Sequence, residues 1–143
     1  MAMLYCFELP YIKQTLGKCK RNDLAVVDTD GSESLVKSAV QRGVLVYGYL
    51  NIGALEDGRS YYQKFKNLRL AYYDGWDGEY WIDVTDKAWQ DHILDLAKKI
   101  KATGAIGLYL DNTDIYYMCQ HGFREEKTHM LRKAPSAKCN LYI

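Results

Sequence analysis

The sequence predicts an α/β protein built on a mainly parallel sheet, and three observations carry that expectation. Short apolar runs recur at residues 24–28, 44–50 and 106–110, of the kind that form strands buried on both faces. Between them lie stretches long enough to carry a helix back for a parallel strand pair. Acidic and amide residues sit just past the ends of the runs rather than inside them.

Taken in order, Leu4-Tyr-Cys-Phe-Glu8 is a first strand, stopped by Pro10. A polar segment with Lys13, Lys18, Lys20 and Arg21 follows, then the strand Leu24-Ala-Val-Val-Asp28 and a turn at Asp28-Thr-Asp-Gly31. From Glu33 to Arg42, apolar Leu35, Val36, Ala39 and Val40 fall at helical spacing, with Ser32 placed to cap the start and Gly43 to end it. The strand at 44–50 comes next. Residues 51–86 then form a long connection crowded with Tyr and Trp, and long connections in compact domains tend to be functional. Residues 87–103 make an amphipathic helix with Trp89, Ile93, Leu96 and Ile100 in one stripe. Thr85 or Asp86 caps its start, Lys98, Lys99 and Lys101 complement its C-terminal dipole, and Gly104 ends it. The strand at 106–110 runs into Asp111-Asn-Thr-Asp114, residues 123–133 have weak helical character, and 135–143 form no complete unit.

Composition narrows the function. With 143 residues the chain suffices for one domain. Lys plus Arg number 19 against 18 Asp plus Glu, a balance that argues against nucleic acid or anionic lipid as the main partner. No apolar run is long enough to span a membrane, and the start lacks the basic region of a signal peptide. Cys6, Cys19, Cys119 and Cys139 show no Cys-x-x-Cys pair and no His at zinc spacing, so no metal or other cofactor is expected, while disulfides stay open. His92, His121 and His129 have no partner pattern. Glycine-rich phosphate loops and a Gly-x-Ser-x-Gly elbow are missing from the sequence.

What remains is the set of polar residues at strand ends: Asp28 and Asp30, then Asn51, Glu56, Asp57 and Arg59, then Asp111, Asn112 and Asp114. In parallel α/β folds the loops after the strands converge on the site. Carboxylates there, beside Tyr and Trp rings, suit a carbohydrate, since carboxylates act on glycosidic bonds and rings stack on sugar faces. Each has a plainer alternative. Asp30 and Asp114 serve equally as turn or cap residues, Glu56 and Arg59 as an ion pair, and the Tyr and Trp cluster as loop packing. Trp89 belongs to the core by its place in the helical stripe.

Three segments carry a resemblance. Val46-Tyr-Gly-Tyr-Leu-Asn-Ile-Gly53 with Glu56-Asp-Gly-Arg59, then Asp74-Gly-Trp-Asp-Gly-Glu-Tyr-Trp-Ile-Asp83, then Thr103-Gly-Ala-Ile-Gly-Leu-Tyr-Leu-Asp-Asn-Thr-Asp-Ile-Tyr116, resemble the motifs of glycoside hydrolase family 114 and occur in family order. The likeness covers about residues 4–120. It implies a (β/α)8 TIM-barrel fold and hydrolysis of α-1,4-linked galactosamine-rich polysaccharide. It marks Asp111 as the catalytic carboxylate, with Asp28, Glu56, Arg59, Asn112 and Asp114 lining the sugar pocket and Tyr49, Trp76 and Trp81 as stacking surfaces. It also implies an extracellular or cell-envelope location. A whole barrel takes around 250 residues, so the chain is expected to hold about the first four βα units as one partial domain, with 121–143 an ill-defined tail. A truncated product, an incomplete gene model and a half that pairs with a second copy all fit that length. The second catalytic acid is then expected outside this chain, and the alternative to an enzyme is a non-catalytic sugar-binding half barrel or an inactive fragment.

Overall fold

The computed structural model describes residues 2–7 and 9–121. The expectations for 123–133 and 135–143, and those for His129 and Cys139, lie outside the described residues. Strands and helices alternate along the chain: β1 (Met3–Cys6), α1 (Leu9–Lys18), β2 (Leu24–Asp28), α2 (Glu33–Gln41) and β3 (Leu45–Asn51). After β3 come β4 (Ala54–Glu56), α3 (Tyr62–Phe65), a 3-10 turn at Lys66–Leu68, β5 (Arg69–Tyr72) and β6 (Glu79–Ile82). The chain then resumes the alternation with α4 (Lys87–Ala102), β7 (Gly107–Asp111) and α5 (Ile115–His121). Four strand–helix units result, the third interrupted by β4–β6. Two compact units contain them: residues up to Leu50 with Ile93–Leu110, and Asn51–His92 with the segment from Asp111.

In the first unit the sheet order is β1-β2-β3-β7. β1 and β3 flank β2 in parallel, with Leu4, Ala25 and Val46 in one register row and Cys6, Val27 and Gly48 in another. Residues in register share a face. That face is covered by helices: Ile12 and Leu16 of α1 and Val36 and Ala39 of α2 pack on Cys6, Ala25, Val27 and Val46. Gly48 is required there, because a Cβ would lie 2.2 Å from Cγ2 of Ile100 on α4. The opposite face carries Tyr5, Val26 and Tyr47 in one row, and the Tyr5 and Tyr109 rings meet edge to face at 5.9 Å.

Two expectations need correction in this unit. Residues 9–18 are a helix rather than a polar connection. Pro10 lies in its first turn, where a missing N–H costs nothing, and Ile12 and Leu16, four residues apart, are both buried. Ser32 makes no side-chain cap on α2; it is buried, and its hydroxyl donates to the Asp28 carbonyl at 2.6 Å. Gly43 and Gly104 end their helices with φ +87° and +89°, the left-handed conformation expected of them.

In the second unit residues 51–86 are not a plain loop. They form a three-stranded antiparallel sheet, β4-β6-β5, pairing Ala54 with Trp81, Leu55 with Tyr80 and Glu56 with Glu79. Leu55, Phe65, Leu70, Ile82, Trp89 and Ile115 are buried, and Trp89, a core residue as expected, donates its indole N–H to the Ile52 carbonyl at 3.0 Å. Asp86 caps α4, its carboxylate accepting from the N–H groups of Ala88 and Trp89 at 2.8 and 3.3 Å. Among the described residues no helix is long and apolar enough to cross a membrane.

Candidate functional site

The second unit gathers seven of the nine residues singled out in the sequence, and Asn51 is their hub. It ends β3, is buried, and must satisfy its amide inside the protein. Its Oδ1 accepts from the Ala54 N–H at 2.9 Å and from Asn112 Nδ2 at 3.0 Å, while its Nδ2 donates to Glu56 Oε1 at 3.1 Å. Arg59 closes a two-pronged ion pair on the same carboxylate, Nε to Oε2 at 2.8 Å and Nη2 to Oε1 at 3.1 Å. Planar guanidinium and carboxylate match in this arrangement, which fixes orientation as well as charge. Glu56 and Arg59 are therefore an ion pair, and one tied to a buried amide rather than a solvated surface contact.

Asp111 and Asn112 reach this hub through backbone geometry. Asp111 ends β7, and its carbonyl accepts from the Ile52 N–H at 3.2 Å. Its Oδ1 accepts from the N–H of Asn112 at 2.9 Å, which orients the carboxylate. Asn112 adopts φ +56°, a left-handed conformation that Asn tolerates better than most residues. The two segments approach so closely that a Cβ on Gly53 would lie 2.0 Å from the Asn112 carbonyl oxygen. Glycine is the residue that lets them touch. Asp114 is exposed, two residues further on, and its charge faces Tyr73.

Two residues of the site were not singled out by the sequence. Glu79 stands directly across the β4–β6 pair from Glu56 and is half-buried. Burial first, then the charges of Glu56 and Asp111, push its carboxyl up to about 7, with Arg59 opposing. Tyr73 has its phenol raised by burial and by Asp114, Asp111 and Glu79. Glu79 lies inside the Asp74–Asp83 motif but not at the end of an apolar run, so strand-end reasoning passed over it. Only the cross-strand register reveals it.

The rings divide. Trp76 is 62% exposed and offers an open face. Trp81, expected as a stacking surface, is instead 3% exposed, its ring packed on Tyr73 with centroids 4.3 Å apart. As an inward residue of the central strand of its sheet, it belongs to the core. Tyr61, Phe65, Trp89 and His92 also pack on one another, with the His92 ring 4.4 Å from Tyr61 and 4.8 Å from Phe65. The remaining two candidates, Asp28 and Tyr49, belong to the first unit, where they are register neighbours on β2 and β3. Asp28 is buried and its Oδ1 accepts from the Asp30 N–H at 2.9 Å; Tyr49 packs on Phe7 at 4.7 Å. No group of three or more His, Cys, Asp or Glu able to hold a metal ion occurs among the described residues.

Asn51→Ala strands the Ala54 N–H and the Asn112 amide. Each buried group left unpaired costs about 1–3 kcal/mol, so urea unfolding is expected to show a loss of about 2–6 kcal/mol. A loss below about 0.5 kcal/mol contradicts the hub.

An uncharacterised protein of Thermotoga maritima is 30% identical over 114 residues, covering 70% of this chain and 35% of its own length. The chain thus spans about a third of the length of the curated relatives it matches. Among solved structures, the glycoside hydrolase domain of PelA from Pseudomonas aeruginosa superposes with TM-score 0.62 at 20% identity, over 82% of this chain and 46% of that one. Aspergillus fumigatus Ega3, in complex with galactosamine, gives TM-score 0.63 at 23% identity, over 81% and 44%. The four strand–helix units are accordingly those of a TIM barrel, about half of one. The profile of glycoside-hydrolase family GH114 matches residues 10–141, and the chain belongs to that family.

Proposed function

We propose that the chain carries one side of the sugar site of an endo-acting glycoside hydrolase, with Asp111 as a catalytic carboxylate and α-1,4-linked galactosamine-rich polysaccharide as substrate. The observation that supports it best is the hub: Asn51 ties the end of β3, the Glu56–Arg59 pair and Asn112 into one hydrogen-bonded corner beside Asp111. Family membership supports the reaction class, and the galactosamine in the Ega3 complex supports the sugar.

In this reading Asp111, oriented by the Asn112 N–H, faces the scissile bond, and Glu56, Arg59, Asn112 and Asp114 contact sugar hydroxyl and amino groups. Trp76 stacks on a sugar face. Glycosidic cleavage uses a second carboxyl group across the bond, which we assign to the part of the relatives' fold that this chain does not span. Family membership supports an extracellular or cell-envelope location.

Among the described residues β1 and β7 are the outer strands of the four-stranded sheet, and outer strands invite pairing. We propose that a second copy or the remaining half of the barrel covers them. If a second copy covers them, light scattering on this chain is expected to give a dimer mass, and a monomer that stays folded contradicts self-pairing.

In the full-length protein, Asp111→Asn is expected to lower release of reducing ends from the polysaccharide by about 10²–10⁴-fold, with the thermal melt unchanged. Undiminished turnover contradicts the assignment. Binding without product in the unsubstituted protein would favour the non-catalytic alternative. Loss of one stacking ring is worth about 0.5–1.5 kcal/mol, so Trp76→Ala is expected to weaken oligomer binding roughly twofold to tenfold by calorimetry, and unchanged affinity removes Trp76 from the site.

A further inference from the structure

Glu79 is a half-buried carboxyl that strand pairing puts opposite another carboxyl, Glu56. Like charges directly opposite on an antiparallel pair are destabilising. Glu56 is committed to Arg59 and Asn51, in a two-pronged fork that fixes its orientation. The electrostatic conflict must therefore be relieved at Glu79. The backbone of Glu79 is fixed as well: its N–H donates to the Trp76 carbonyl at 3.2 Å and its carbonyl accepts from Tyr73 at 3.0 Å. Strand pairing and these bonds hold the backbone of Glu79 opposite Glu56.

We propose that Glu79 is a positioning residue for the site, its carboxyl standing opposite Glu56 and governing by its own charge how firmly Glu56 stays locked to Arg59 and Asn51. The groups that face it are Glu56 on β4, Arg59 in the loop after β4, Asp111 at the end of β7 and Tyr73 after β5. The charges of Glu56 and Asp111 oppose ionisation of Glu79, and that of Arg59 favours it. When Glu79 ionises, Glu56 and Asp111 both meet a new negative neighbour. The repulsion acts on the two carboxylates that the Asn51–Asn112 hub connects, so the whole corner responds to one proton.

The sign follows from linkage. A carboxyl raised from 4.5 to about 7 keeps its proton in the folded chain at pH values where the unfolded chain has lost it. Its contribution to stability therefore falls as pH rises through that window and is flat below it. Removing the titration removes the slope.

The test uses the chain labelled with 13C at Glu carboxyls and with 15N, followed by NMR from pH 5 to 9. One Glu carboxyl is expected to titrate near pH 7, and the Ala54 and Asn112 amides and the Arg59 Nε–H to shift with the same midpoint. Glu79→Gln, which keeps shape without charge, is expected to lose all of these and the decline in unfolding midpoint between pH 5 and 8. Persistence of the inflection in Glu79→Gln, or no Glu carboxyl titrating between pH 6 and 8, overturns the proposal. The direct carboxyl titration decides the matter even if the variant does not fold. The consequence for turnover rests on the glycosidase reading: in the full-length protein the ratio of kcat/KM at pH 6 to that at pH 8 is expected to shrink at least threefold in Glu79→Gln. An unchanged ratio in an active enzyme overturns the positioning role. Since the NMR arm contains no sugar, an expected titration in a protein that hydrolyses nothing counts against the glycosidase reading and leaves Glu79's role intact.

Discussion

Asn51 is buried, so its side-chain amide has to find its partners within the protein, and those partners are what make the corner. One amide group joins a backbone N–H three residues past the end of β3, a carboxylate on β4 and an amide that follows β7. Ala54 and Glu56 are near Asn51 along the chain, whereas Asn112 is 61 residues away, and its bond to Asn51 ties the segment after β7 to the end of β3. Gly53 completes the constraint by removing the one atom that would hold the segments apart. Asp111 acquires its position second-hand, through the Ile52 N–H and the neighbouring Asn112.

The same corner shows how charge is managed near a parallel-sheet edge. Four acidic side chains, Glu56, Glu79, Asp111 and Asp114, surround a neighbourhood in which Arg59 is the cation that engages Glu56. Arg59 balances Glu56 directly and leaves the others to adjust by protonation, exposure or hydrogen bonding. Glu79 adjusts through a carboxyl pushed up to about 7, Asp114 by lying in solvent, and Asp111 by accepting a backbone N–H. A site of this kind carries negative potential toward any ligand that reaches it, which suits an amino sugar better than an acidic one.

Much of this was legible in the sequence where periodicity was strong. The run Leu24–Asp28 is β2 with the bounds expected, and the stripe of Trp89 and Ile100 belongs to α4 with Asp86 as its cap. Asp111 and Asn112 stood out because two polar residues break an apolar strand, and both sit in the corner. Elsewhere the signal failed for identifiable reasons. α1 was hidden because Pro10 reads as a breaker unless its place in the first turn is known. β4–β6 are strands of three or four residues, too short to show alternation, and antiparallel pairing rather than periodicity defines them. Trp81 was misjudged because an indole in an aromatic-rich segment looks the same whether it faces solvent or the core. Glu79 matters only through its register with Glu56, a relation invisible in one dimension.

The central claim is that this corner of the second unit is where sugar binds. Amide chemical-shift mapping of the 15N-labelled chain during titration with an α-1,4-linked galactosamine oligomer tests it most directly. The account predicts saturable shifts concentrated in residues 51–59, 73–79 and 111–114, with Trp76 indole among them. Shifts confined to the helix-covered face around Ile12, Leu16 and Val36, or none at millimolar oligomer, would contradict it.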